Sequence, residues 1–353
     1  MTDPQWHNLL RVIGGDLIEP LPVGLIVDSP WLPGWAGISM FNYFADDQAW
    51  LETNLKAVRR FADILFLPGF WAEYGMCTEP SAFGAKCVWR ENAFPAVEKS
   101  LYDHRDIRHI KKPNCRTDGL LPFVIRRLQH CRAAIEAAGH RIRFATARGP
   151  LNIASHLLGH SEFLLGIKTQ PEETHRLLTI ITDFLIDWIG YQADTFDSID
   201  GIFLLDDLMG FLREDDFRQF ALPYLKPIYG SREVRVRFLH NDAFGMVTAR
   251  HLASMGVNLF NFSFDHDMSE VRAAAGPSVV LLGNIPPRDV LAQGSPADVR
   301  QSTSAMLDSW EDHRRIIVSC GGGVPPDVSS ENLNALCSAV AETQPVPSGR
   351  PQQ

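Results

Sequence analysis

The pattern with the most chemistry in it is His240-Asn241-Asp242, followed eighty residues later by Cys320 in front of Gly321-Gly322-Gly323. Residues two apart in extended chain send their side chains the same way, so His240 and Asp242 share a face. Imidazole, carboxylate and thiolate are all zinc donors, and three protein ligands with an open fourth position describe a catalytic metal site. The alternative assigns His240 to a hydrogen bond, Asp242 to a loop cap and Cys320 to a small buried apolar position. Asp206-Asp207 follow the apolar run GIFLL. They could serve as general base, as orienting carboxylates or as a helix N-cap, and only one of two adjacent strand residues can face a cavity. Glu73 is a further candidate acid, and Trp71, Tyr74, Arg148 and Asn284 are candidate substrate contacts. The glycine run lacks the Lys and Ser or Thr of a phosphate loop and reads as a tight turn.

Such groups need a frame. Eight short apolar runs recur at 22–27, 63–67, 142–147, 201–205, 234–239, 257–262, 278–282 and 315–319. Their continuous hydrophobicity suits strands buried on both faces of a parallel sheet. Helix-like segments lie between and after them, at 47–61, 120–138, 171–195, 214–229, 246–254, 295–310 and 331–342. Eight strands alternating with helices predict an α/β chain built as a (β/α)8 TIM barrel, with a doubly wound open sheet as the alternative. The candidate residues follow strand ends, where a barrel opens. The long interval between the second and third strands predicts an insertion or lid over 68–140 that includes a helix. One barrel domain over 1–343 and a disordered tail over 344–353 complete the organisation. The aromatic stretches 31–35, 41–44 and 70–74 would line an apolar pocket or cover the barrel mouth.

Composition narrows the partners. Acidic residues number 42 against 33 Lys plus Arg, a net charge of −9, which argues against nucleic acid or an anionic membrane as partner. A hydrophobic fraction of 45% with 21% charged residues fits a globular core and excludes a disordered or fibrous chain. Six cysteines without a C-x-x-C pair are too sparse for a disulfide framework. With no signal-peptide pattern and no long apolar run, the expected location is the cytoplasm, as monomer or homodimer.

Five blocks carry a resemblance: Ala147-Arg148-Gly149-Pro150 to Leu158-Gly159, Leu205-Asp206-Asp207-Leu208, His240-Asn241-Asp242, Leu282-Gly283-Asn284-Ile285-Pro286, and Gly321-Gly322-Gly323 to Glu331-Asn332. In order and spacing they resemble the uroporphyrinogen decarboxylase superfamily. That resemblance implies a (β/α)8 barrel and one of two activities, tetrapyrrole decarboxylation or methyl transfer involving a corrinoid protein or thiol. Decarboxylases of the superfamily carry an arginine-rich motif after the first strand, whereas this chain has Trp31-Leu32-Pro33-Gly34-Trp35 there and only Arg11 before Arg59. The segment 70–84 looks more like the methyltransferase branch. In that branch zinc is held by a His-x-Cys pair and a later Cys. His240 and Cys320 fill two of those slots, and Asp242 stands where the second thiolate would be. The resemblance therefore implies a corrinoid-dependent methyltransferase acting on a small methoxylated donor, with zinc as Lewis acid and cobalamin supplied by a partner corrinoid protein. A tetrapyrrole decarboxylase and a non-catalytic ligand- or corrinoid-binding barrel are the alternatives.

Overall fold

A computed structural model describes residues 1–310 and 312–342; the tail expected at 344–353 lies outside them. Eight strands form one parallel sheet: β1 (Val23–Ile26), β2 (Ile64–Leu67), β5 (Phe144–Arg148), β6 (Gly201–Leu205), β7 (Val236–Asn241), β8 (Leu259–Phe262), β9 (Val280–Ile285) and β10 (Ile316–Cys320). A separate antiparallel hairpin, β3 (Lys86–Arg90) and β4 (Ala93–Glu98), lies between β2 and β5, as does the helix Leu121–Ala137. The order in the sheet is β2-β1-β10-β9-β8-β7-β6-β5. The first strand thus pairs with the last, Val23 opposite Val318, so the sheet curls round on itself in the manner of a TIM barrel.

One joint lacks a ladder among the described residues, that between β2 and β5. The exposed edge of β5 is satisfied by a side chain instead. Gln192 on the helix Pro171–Thr195 accepts the Thr146 N–H at 3.0 Å and donates to the Thr146 carbonyl at 3.0 Å. Near the base of the joint, Thr2 bridges His140 antiparallel.

Alternation along the strands sorts the core into two layers. Ile26, Phe203, Phe238, Leu282 and Ile317 face the lumen, while Leu25, Leu204, Leu239, Leu281 and Val318 face the surrounding helices. The helix Asp3–Gly14 buries Trp6, Leu9 and Val12 against the lumen layer. Trp6 meets Phe144, the first residue of β5, edge to face at 5.5 Å. That helix covers the N-terminal end of the strands and leaves the C-terminal ends as the mouth.

Candidate functional site

Strand parity decides which candidates meet. On β7, Val236, Phe238 and His240 point inward, and Asp242 continues the series. On β6, Phe203 points inward, which brings Asp207 to the same side. His240 Nε2 lies 3.7 Å from Asp207 Oδ1 and 3.8 Å from Asp242 Oδ2. Ligand atoms of the three residues lie within 4.8 Å of one another. Asp207 Oδ1 also accepts the Asp242 N–H at 3.3 Å. Burial raises the Asp207 pKa, the His240 side chain opposes the rise and the Asp242 carboxylate adds to it.

The orientation of His240 is set by a residue that the sequence reading did not single out. Asn261 on β8 donates through Nδ2 to the carbonyls of Leu282 (2.7 Å) and Cys320 (3.1 Å). Its Oδ1 therefore acts as acceptor, 2.7 Å from His240 Nδ1, and the ring proton sits on Nδ1. In the neutral imidazole this leaves the Nε2 lone pair aimed at the two carboxylates. The signal available in the sequence was a lone amide within the apolar run LFNF.

The structure separates two candidates from this cluster. Cys320 has the parity of Ile316 and Val318, so its side chain lies in the layer between sheet and helices. Its Sγ donates to the Gly322 carbonyl at 3.3 Å, and burial pushes the thiol up to about 12. The group that converges with His240 and Asp242 is Asp207 in its place. Asp206 likewise faces outward, with its carboxylate accepting the N–H groups of Leu151 and Asn152 at 2.9 and 3.1 Å. Those are first-turn amides of the helix Pro150–Leu158, so Asp206 caps that helix rather than facing the mouth. Gly149 precedes the helix because any Cβ there would stand 2.2 Å from Asp206 Oδ2.

A second charged group lies at the mouth. Arg148, at the end of β5, donates to Glu73 at 2.9 Å and approaches Glu79 at 3.6 Å, all three side chains being buried. Ser29 donates to the other Glu73 oxygen at 2.5 Å. Arg148 is thus committed to protein carboxylates rather than free for substrate. Asp28, beyond β1, has no ion-pair or side-chain hydrogen-bond partner among the described residues. Burial and the neighbouring Glu73 hold its pKa well above the usual carboxylate range, with Arg148 opposing. Glu79 is raised by burial as well, again against Arg148.

The remaining candidates are dispersed. Trp71 packs into the lumen edge to face with Phe203 at 5.8 Å. Tyr74 joins Phe44 and Trp89 beneath the Arg127 guanidinium, in the outer layer. Trp31 stacks on Trp35 at 5.1 Å and donates to the Val328 carbonyl, so these rings form part of the outer packing. Asn284 donates to the His266 carbonyl at 2.8 Å.

Residues 7–343 match the family model described as Uroporphyrinogen decarboxylase (URO-D). The chain belongs to the URO-D family. Among its relatives, the uroporphyrinogen decarboxylase of Psychromonas ingrahamii is 25% identical over 82% of both chains. The human uroporphyrinogen decarboxylase is 24% identical over 96% of this chain and 94% of its own. Two solved structures share the fold. A methyltransferase from Methanosarcina mazei superposes with a TM-score of 0.80 at 19% identity, covering 96% of this chain and 98% of its own. A B12-independent methionine synthase from Shewanella does so with a TM-score of 0.54 at 9% identity, over 91% and 96%. Within this URO-D frame Asp28, Glu73 and Glu79 lie about Arg148, which is already paired, and Asp207 and Asp242 lie about His240. No helix among the described residues is long and apolar enough to cross a membrane.

Proposed function

We propose that this URO-D family member is a methyltransferase that moves a methyl group from a small O-methyl compound to a partner corrinoid protein, with zinc held by Asp207, His240 and Asp242. The observation that carries this reading is the convergence of one imidazole nitrogen and two carboxylate oxygens at the mouth, with the imidazole proton fixed on the far side by Asn261. The donor chemistry fits a divalent cation: three protein ligands leave an open position, and the His–amide contact is the outer support such ligands need. When bound, the zinc would polarise the ether oxygen, more strongly than with thiolate ligands because carboxylates donate less charge.

In the transfer the methyl C–O bond breaks. A reduced corrinoid on the partner would supply the electron pair that takes the methyl carbon, and the freed oxygen would take a proton from this chain. Among the mouth carboxyls, Glu73 and Glu79 are engaged by Arg148, and Asp207 and Asp242 belong to the donor cluster. Asp28 is the acid assigned to that proton, because it is unpaired and burial keeps its proton on more firmly than in water.

Decarboxylation of a tetrapyrrole is the second reading, favoured by the names of the sequence relatives. It would bring several substrate carboxylates beside Asp28, Glu73, Glu79, Asp207 and Asp242, with Arg148 already paired to two of them, an arrangement that disfavours a polyanion. A barrel that binds its ligand without turnover is the third. Purified zinc-loaded protein, reduced corrinoid and a panel of methyl ethers distinguish them: methylcobalamin formation is expected. Carbon dioxide release from uroporphyrinogen without methylcobalamin would overturn the proposal in favour of decarboxylation, and silence in both assays would leave a binding barrel.

A further inference from the structure

The segment that grips Arg148 packs against the hairpin β3–β4. Glu73 and Glu79 belong to this segment, and between them Met76 Sδ accepts the Arg148 Nε–H at 3.2 Å. A Cβ on Gly75 would stand 3.0 Å from the Phe94 ring and from Pro95, both on β4. Side chains alternate along β3, so Cys87 and Trp89 share a face. Trp89 meets Tyr74 of the segment edge to face at 6.1 Å. Cys87 meets Cys77 of the segment, and the two thiols share a hydrogen bond. Cys77 Sγ also lies 3.4 Å from the carbonyl oxygen of Ala96, which neighbours Val97, the residue opposite Cys87 in the hairpin ladder.

The two thiols differ in access and in acidity. Cys77 is fully buried and Cys87 only half-buried. Their shared hydrogen bond raises the pKa of Cys77 and lowers that of Cys87, against the effect of burial on Cys87. Burial raises Cys115, Cys131, Cys320 and Cys337. Thiolate is the attacking form, so Cys87 is the reactive cysteine of this chain and Cys77 stands in contact to resolve what forms on it.

We propose that Cys77 and Cys87 are a reversible modification site, oxidised to one disulfide by a small-molecule disulfide such as oxidised glutathione, and that the bond fastens the hairpin to the segment that grips Arg148. The Cys87 thiolate attacks one glutathione sulfur, the glutathione S–S bond breaks, and one glutathione leaves as thiolate and takes a proton. Cys77 then gives up its proton and attacks the Cys87 sulfur, releasing the second glutathione. Two protein thiols are oxidised and one glutathione disulfide is reduced to two thiols. Excess reduced glutathione runs the same steps backwards.

The test equilibrates the full chain in glutathione buffers from reduced to oxidised, alkylates it under denaturation and maps the peptides without reduction. A peptide pair joined through Cys77 and Cys87 is expected, with the other four cysteines alkylated. Cys77→Ser is expected to stop at a glutathione adduct on Cys87. Cys87→Ala, which spares the buried position, is expected to leave Cys77 unmodified. Trypsin cleavage after the exposed Arg90 should be about threefold or more slower in the oxidised chain, since the hairpin must open to be cut. Absence of the joined pair, glutathione persisting on Cys87 of the wild type, or an adduct on Cys77 in Cys87→Ala would overturn the site. Equal cleavage of the two forms would overturn the fastening.

Discussion

His240 Nδ1 and Asn261 Oδ1 lie 2.7 Å apart, and the amide of Asn261 cannot turn round because its Nδ2 already serves two carbonyls. Asn261→Leu is expected to lower zinc affinity by about 10–100-fold, the usual cost of losing an outer-shell partner, as measured by competition with a chromogenic chelator. It also removes one hydrogen bond from each of the Leu282 and Cys320 carbonyls, of which Cys320 keeps the Gly322 N–H at 3.0 Å, at about 0.5–1.5 kcal/mol per bond. Chemical denaturation should therefore register the same substitution.

Replacing the donors themselves should cost more. His240→Ala, Asp207→Asn and Asp242→Asn are each expected to reduce zinc binding beyond the about 100-fold upper range of an outer-shell change. Cys320→Ala should leave the metal content near wild type. Elemental analysis after dialysis reads both outcomes, and zinc loss in Cys320→Ala with retention in Asp207→Asn would reverse the assignment of the third ligand.

Asp206 should behave as a structural residue. Asp206→Ala removes the cap of the helix Pro150–Leu158 and is expected to cost about 0.5–2 kcal/mol, seen as a lower denaturation midpoint at unchanged slope. Zinc stoichiometry in the folded variant should match wild type.

Arg148 holds two buried carboxylates. Arg148→Met strands both and is expected to destabilise the chain by about 3–5 kcal/mol. Adding Glu73→Gln and Glu79→Gln should recover much of that loss, which a double-mutant cycle on unfolding free energies quantifies.

Asp28 gives a pH signature. Its folded-state pKa is raised above the unfolded value, so the folded chain binds the extra proton more tightly. The stability this confers is present at low pH and is lost as pH rises through the folded value. Asp28→Asn is expected to flatten the fall in stability from about pH 4 upward and to be more stable than wild type at neutral pH. As the assigned acid, Asp28 should also be worth about 10²–10⁴ in kcat, so the variant should be sturdier and slower.

The architecture was readable because burial on both faces leaves a signature in composition: each of the eight apolar runs overlaps a strand of the sheet. The site was readable only in part. Spacing placed His240 beside Asp242, since Asp242 directly follows the strand that carries His240. Cys320 belongs to another strand, and its direction depends on a parity that spacing to His240 cannot fix. Counting inward from Ile317 would have turned it outward. The choice between Asp206 and Asp207 also turned on parity, set by Phe203. Arg148 looked free for substrate because its partners, Glu73 and Glu79, come from the far side of the ladderless joint, about seventy residues earlier in the chain.

The same joint gives the Arg148 ion pair a second meaning. Arg148 ends β5 and Glu73 follows β2, so the pair spans the one gap in the wall that no backbone ladder closes, above the Gln192 amide and the Thr2–His140 bridge. The Gln192 amide serves the β5 edge alone, so the cylinder is in effect a rolled strip whose upper end is fastened across the joint by this ion pair. The girth of its upper end is consequently governed by charge: whatever neutralises a carboxyl at the top clasp loosens the hoop on which the rest of the rim is mounted.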